Sequence, residues 1–459
     1  MLEIKNKKIS IIGAVRSGLG AAKLAKSLGA IPFVSDAGTE ERLKTSIEYL
    51  KNEKINFEVN QHTEKVFDCD LMVVSPGVPS DAQVIEDAKK RDIKTISELE
   101  FASYFCKGNV IGITGTNGKT TTTSLCGYLF NECGMKTHTA GNIGLAFSEI
   151  VTEAKENEFV SLEISSFQLD LIDKFKPKIA MILNITPDHL NRYENSVEKY
   201  ALSKLRVFEN QDATDYLVLS KDSDLLNQYF QKAKSSIFFF STSKKVSNGC
   251  YLENDEVRFV RNDVIEFSCK ILDIFIKGEH NIQNAMAVII AAKIFNLDDE
   301  KILEALKSFK GVEHRLELVR EIEGIKFIND SKATNVDSVV VALKSFNEPI
   351  FLILGGQDKG NDYSIIEALV IEKVKKIYAI GSSAEIVFNY FHKKVKTEIK
   401  KNFDEVINAT ISEAKEGDVV LLSPACASFD MFDNYEHRGK VFKEIINEKI
   451  SHHSFLCII

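Results

Sequence analysis

The feature that most limits what this chain can become is a rhythm. Short apolar runs each end in a glycine-bearing or polar turn, and a helical pattern precedes the next run. ISIIG at 9–13 leads to a helical stretch from about 17 to 28, then IPFVSD at 31–36 and LMVVSPG at 71–77. A second cycle runs NVIGITG (109–115), FVSLEIS (159–165) and IAMILNIT (179–186), and a third runs KFIND (326–330), PIFLILGG (349–356), KKIYAIG (375–381) and DVVLLSP (418–424). Apolar runs alternating with helices predict parallel sheets with crossover helices, an α/β fold. Between 216 and 277 the pattern changes to short β-like pieces with polar turns. The 459 residues suggest about three domains of roughly 150 residues each. The expected division is 1–97, 98–311 and 312–459.

Composition removes whole classes of function. With 44% hydrophobic and 27% charged residues the chain is an ordinary globular one, not a disordered or collagen-like one. No apolar run nears the roughly 18 residues of a membrane-spanning helix. The opening MLEIKNKK lacks a secretory signal, so the cytoplasm is the expected address. The eight cysteines fall singly, without CxxC spacing, and read as reduced thiols. A net charge of −8 repels nucleic-acid phosphates, and nucleic acid is not an expected partner. The basic stretch HKKVKTEIKK (392–401) reads as solvated surface.

The chemistry gathers where strands end. Gly112-Ile-Thr-Gly-Thr-Asn-Gly-Lys-Thr-Thr121 lies between a β-like run and a helix. Glycines let backbone N–H groups close on phosphate, the helix N-terminus adds positive potential, Lys119 reaches terminal phosphate oxygens and Thr120 can ligate magnesium. Ile113 stands where the first glycine of GxxxxGK[ST] belongs. The turn Gly13-Ala-Val-Arg-Ser-Gly18, with Asp36 further on, resembles a dinucleotide fingerprint spoiled by Val15, whose side chain obstructs a pyrophosphate. A turn and a ligand site are both open there. Glu163 and Asn184-Ile-Thr-Pro-Asp-His-Leu190 end the two strands after the phosphate loop, placed to hold Mg²⁺ and phosphate. Arginine is scarce, and Arg315 follows His314 at a domain join, as either a phosphate fork or an interdomain salt bridge. Asp330 to Asn335, Gly355 to Gly360 and Ser423 to Phe429 bring Lys332, Thr334, Lys359 and Ser428 to one sheet edge, which suits a small carboxylate-rich ligand.

Taken together, GITGTNGKTT, GNIG (141–144), NITPDHL, GEHNIQN (278–284), HR (314–315) and DSKATN resemble the Mur ligase family of peptidoglycan synthesis, over the whole chain. VVSPGVP (73–79), GGQDKG and LSPACASFDMFDNYEHRG (422–439) are similar to its D-glutamate-adding branch. The resemblance implies three domains: a Rossmann-like domain for the uridine nucleotide, a P-loop ATPase-like centre and a Rossmann-like C-terminal domain. It implies an ATP-dependent ligase joining D-glutamate to UDP-N-acetylmuramoyl-L-alanine through an acyl phosphate, serving cell-wall synthesis, cell shape and division.

Residue by residue, the resemblance implies that Gly115, Thr116, Asn117, Gly118, Lys119, Thr120 and Thr121 hold ATP phosphates, with Asn281, Asn284, Arg315 and Asp330 on adenine, ribose or phosphate. Thr120, Glu163, His189 and Lys204 would hold two Mg²⁺ ions, with Lys204 carbamylated. Lys119, His189, Lys204 and Asn142 would be catalytic. Ser17, Asp36, Ser75, Pro76 and Gly77 would take the uridine diphosphate, and Thr334, Lys332, Lys359, Ser428, Phe429 and Tyr435 the D-glutamate. At 429 the family leads one to expect a smaller aliphatic side chain, and at 435 Phe. A monomer is expected. A folate-glutamylating relative and a non-catalytic nucleotide switch remain alternatives.

Overall fold

The computed structural model describes residues 2–188, 190–358 and 360–453, so two candidate residues, His189 and Lys359, lie outside the described residues. Three sheets organise the chain. The first contains β1 (Lys8–Ile12), β2 (Ile31–Ser35), β3 (Asn56–Glu58), β4 (Leu71–Val74) and β5 (Thr95–Ser97), all parallel, in the order 3-2-1-4-5. The second contains β6 (Asn109–Thr114), β7 (Thr137–Gly141), β8 (Phe159–Glu163), β9 (Ile179–Ile182), β10 (Tyr216–Ser220), β11 (Ser236–Ser241), β12 (Asn248–Glu253), β13 (Glu256–Arg261) and β14 (Val264–Lys270). Its order is 14-13-12-11-10-9-6-8-7. Only β12–β13 and β13–β14 pair antiparallel. The third contains β15 (Glu317–Ile322), β16 (Ile325–Asn329), β17 (Ile350–Gly355), β18 (Val374–Ile380), β19 (Thr397–Ile399) and β20 (Val419–Leu422), in the order 15-16-20-17-18-19, with β15 antiparallel.

The strands follow from their residues. β9 (IAMI) and β20 (VVLL) are buried at every position, because a parallel sheet covered by helices on both faces has no wet side. In the first sheet the strand order reverses at β1, and in the second at β6. Each reversal opens a crevice at the carboxyl end of its central strand.

The chain divides into two compact units, Met1–Phe275 with Asn281–Phe309, and Ile276–His280 with Lys310–Ile459. The first unit holds two sheets but one continuous apolar core, running from Ile9, Ile11 and Val34 to Ala180, Ile182 and Leu217. Its join is made by the helices Arg16–Ser27, Glu98–Ser103 and Phe147–Ile150, which pack on one another. A Cβ at Gly20 would come within 2.6 Å of Ser148 Oγ, so glycine permits that close approach. In the second unit the sheet carries Val339, Leu343 and Ile366 on one face and Phe403, Val406 and Phe442 on the other. Among the described residues no helix is long and apolar enough to cross a membrane.

Candidate active site

Register builds the first half of the site. Ile113 of β6 and Gly141 of β7 both lie opposite Glu163 of β8, and Thr114 lies opposite Ile182 of β9. The loops leaving β6, β7, β8 and β9 therefore emerge side by side. In the loop after β6, Gly115 has φ +155° and Gly118 has φ +84° before the helix Lys119–Glu132 begins. A Cβ on Gly118 would lie 2.4 Å from Asn284 Oδ1, so that asparagine closes directly on the loop. Asn284 Nδ2 donates in turn to Asn281 Oδ1 at 3.2 Å.

The far side of this loop is tied to the chain after β9. Thr116 N donates to Asn184 O (3.0 Å), Asn117 N to Asn184 Oδ1 (2.8 Å), and Thr116 Oγ1 to Thr186 O (3.0 Å). Two of the amides expected to cradle phosphate thus already hold Asn184. Lys119 Nζ donates to Gly115 O (2.8 Å) and Thr116 O (2.7 Å). Lys204, buried on the helix Val197–Leu205, also donates to Gly115 O, at 2.9 Å, and its ammonium lies 4.7 Å from the Tyr200 ring centre. Burial, followed by the charge of Lys119, pushes Lys204 well below the ordinary lysine range. Beside it Glu163 is 2% exposed. Its Oε1 accepts from Asn142 Nδ2 at 3.0 Å, while buried Oε2 has no hydrogen-bond partner.

The loop after β1 has a different lining. Asp36, at the end of β2, accepts from Ala14 N and Gly38 N, each at 2.7 Å. Ser75 Oγ lies against Gly13, donating to its carbonyl at 3.4 Å. Ser17 falls on the first turn of the following helix, and Pro76 and Gly77 follow β4.

In the second unit, Asp330 is buried between the chain after β16 and the chain after β20. Ser423 Oγ donates to its Oδ2 at 2.8 Å and Leu316 N to its Oδ1 at 3.3 Å. Burial raises its carboxyl to about 7 despite the charges of Arg315 and Arg438. Arg315 lies between His314 and Leu316, both at positive φ (63° and 45°), a turn that fixes its direction. Glu313, His314 and Glu317 approach one another closely, but Lys443 donates to both carboxylates (2.8 and 2.6 Å), so that group is ion-paired. Lys332 Nζ lies 5.5 Å from the Tyr435 ring centre, and Thr334 N donates to Lys332 O at 2.9 Å. Ser428 is buried, whereas Phe429 is 66% exposed.

Comparison with known proteins gives the family. Residues 8–84 match the MurD N-terminal domain, 113–292 the Mur ligase middle domain and 314–426 the Mur ligase, glutamate ligase domain. The UDP-N-acetylmuramoylalanine--D-glutamate ligase of Koribacter versatilis is 40% identical over 455 residues, 97% of this chain and 98% of its own. That of Christiangramia forsetii is 43% identical over 445 residues, 96% and 99%. The chain belongs to the Mur ligase family. Its fold is shared with the UDP-N-acetylmuramate-alanine ligase MurC of Thermotoga maritima (TM-score 0.62, 20% identity, 96% of this chain and 100% of that one).

In a Mur ligase, an ATP-dependent enzyme that needs Mg²⁺, a metal seat is required, and the donor set fits one. A buried carboxylate oxygen without a partner, Glu163 Oε2, at the end of the strand beside β6, is the hard-oxygen donor that Mg²⁺ takes. Some contacts around these loops escape sequence reasoning. The sequence marks the segment that begins at Asn184 but not its two bonds to the phosphate loop, and it gives no sign of the contacts of Tyr200 with Thr116, Arg192 with Pro76 and Gly77, or Arg438 with Ser331. Of these last three, only the position of Tyr200, four residues before Lys204 on one helix face, leaves a local signal.

Proposed function

We propose that this Mur ligase joins D-glutamate to UDP-N-acetylmuramoyl-L-alanine with ATP, yielding ADP and phosphate, and that it works as a monomer in the cytoplasm. The observation that carries the reading is identity of about 40% over nearly the whole of both chains to enzymes named for that reaction. A carboxylate and an amine form a salt at neutral pH, so the alanyl carboxylate must first gain a leaving group. It attacks the γ-phosphorus of ATP, ADP departs, and the D-glutamate amine then displaces phosphate from the acyl phosphate through a tetrahedral intermediate. Lys119 and the helix N-terminus at Thr120 and Thr121 hold the transferring phosphoryl group, and Asn281 and Asn284 bear on the same nucleotide. Two Mg²⁺ ions, when bound by Thr120, Glu163, His189 and the carbamate of Lys204, would neutralise phosphate charge. Burial, which lowers the Lys204 amine, favours its neutral form, and that form adds CO₂ and releases a proton to become the carbamate. Asn142 orients Glu163 and faces the muramoyl substrate.

Ser17, Asp36, Ser75, Pro76 and Gly77 take the uridine diphosphate in this reading. Arg315 and Asp330 hold nucleotide, and Lys332, Thr334, Lys359, Ser428, Phe429 and Tyr435 receive D-glutamate. The test is to incubate pure protein with ATP, Mg²⁺, UDP-N-acetylmuramoyl-L-alanine and a panel of amino acids, then weigh the products. A D-glutamate adduct with one ADP and one phosphate per product is expected. Nucleotide binding without phosphate release, or transfer of L-glutamate to a pterin instead, would overturn it.

A further inference from the structure

Two of the ten arginines in the sequence reach from one sheet of the first unit to loops of the other. Arg16 opens the helix after β1, and its guanidinium donates to Gly144 O at 2.8 Å and Asn142 O at 3.1 Å, in the loop after β7 of the second sheet. Arg192 lies in the turn Leu190–Arg192 after β9 and points the opposite way. It donates to Gly77 O at 3.1 Å and Pro76 O at 3.3 Å, in the loop after β4 of the first sheet, with its Cζ 4.1 Å above the Phe167 ring centre. Each fork takes two carbonyls of the opposite sheet's loop, a geometry that the planar guanidinium serves and a lysine point charge does not.

The gripped loops are not incidental. Asn142 carries the side chain that holds Glu163, and the Pro76–Gly77 turn belongs to the seat assigned to the uridine diphosphate. The shared core joins the two sheets through helices, and helix packing alone leaves strand-end loops free to shift by the ångström or so that misaligns reacting groups. We infer that Arg16 and Arg192 are positioning residues, a reciprocal pair that locks the seat of the nucleotide-linked substrate on the first sheet to the phosphate and metal residues on the second. The identity of that substrate rests on the function proposed above; the coupling of the loops does not.

Because both grips cross the same junction, either one partly covers the loss of the other, and removing both should cost more than the product of the single effects. The experiment combines backbone amide exchange on the substrate-free protein with steady-state kinetics of R16A, R192A and the double variant. Exchange should rise at least tenfold around 141–146 in R16A and around 75–80 in R192A, and stay unchanged in the third sheet. The KM for UDP-N-acetylmuramoyl-L-alanine should rise about tenfold in each single variant and well over a hundredfold in the double, with the ATP KM within twofold of wild type. A raised KM with unchanged exchange would make these residues plain ligand contacts and overturn the inference. Raised exchange with unchanged KM, or a double variant equal to the product of the singles, would overturn it too. If an alanine variant does not fold, R16K and R192K replace it: one retained carbonyl bond predicts intermediate exchange and KM, and wild-type values of both would refute the pair. If the wild type itself makes no D-glutamate adduct, the functional reading fails while amide exchange still decides the coupling.

Discussion

The loop after β1 and the loop after β6 each leave a central strand paired parallel on both sides, turn on a glycine at positive φ and enter a helix, yet a carboxylate satisfies one and lysine amines the other. After β1 a carboxylate, Asp36, accepts from the loop amide of Ala14. After β6 two lysine amines, those of Lys119 and Lys204, donate to the loop carbonyl of Gly115. A loop amide that already holds a carboxylate is withdrawn from phosphate binding, and the acid's charge favours a ligand rich in hydroxyl and N–H donors, such as a ribose and uracil. A loop whose carbonyls are held by lysine amines keeps its remaining amides and the helix N-terminus as the part suited to an anion, which under the function proposed above is a polyphosphate. Under the function proposed above, one supersecondary plan would serve two nucleotides, and the side chain arriving from elsewhere in the chain would decide which.

The largest effect that would break this contrast is expected at Lys204. Lys204→Ala should lose roughly three orders of magnitude in turnover, with acetate restoring part of the rate by filling the place of a carbamate. An alanine variant with normal activity would refute the role. The sign of the pKa shift adds a pH test: burial lowers the folded amine, so its neutral form persists to lower pH than that of an ordinary lysine. Protein stripped of CO₂ should therefore regain activity on bicarbonate at pH values below the ordinary lysine value of about 10, where an unshifted lysine would stay protonated. Next, Lys119→Ala should reduce turnover at least a hundredfold, about 3 kcal/mol of transition-state stabilisation, with the circular dichroism spectrum retained. Phosphate release at the wild-type rate would remove Lys119 from phosphoryl transfer.

On the other side of the contrast, Asp36→Ala should raise the KM of the UDP-linked substrate about tenfold and leave the ATP KM unchanged. Equal changes in both would show that the two loops do not divide the nucleotides. The smallest effect on rate is expected at Gly18, whose added Cβ would lie 1.8 Å from Gly13 O. Gly18→Ala should lower stability by roughly 1–3 kcal/mol, read as a drop in Tm, while the ATP KM holds. A Tm equal to that of the wild type would mean that the first loop tolerates a looser helix–strand contact than its geometry indicates.

Much of the architecture was legible because its causes are local. An all-apolar run such as IAMI between turn signals fits a strand buried on both faces, and a glycine turn before Lys-Thr-Thr after a strand fits the opening of a helix. The edge position of Glu163 was likewise visible. Its unpaired Oε2 was not, because that depends on what β6 and β7 leave beside it. Lys204 is the clearest case. On periodicity it reads as a surface lysine, but its helix turns it against Gly115, 89 residues away, and burial then changes its chemistry.

By itself the sequence determined the alternation of strands and helices, the glycine loops at their ends and the residue types gathered there, since each follows from backbone sterics and apolar periodicity over a few neighbours. Only the tertiary structure decided which of those ends meet: that Asn184 occupies two amides of the phosphate loop, that Asp36 closes the other loop, and that Arg16 and Arg192 cross between sheets. These contacts join residues from about 20 to about 130 positions apart, and at such separations strand order and register, not local preference, set which donor finds which acceptor.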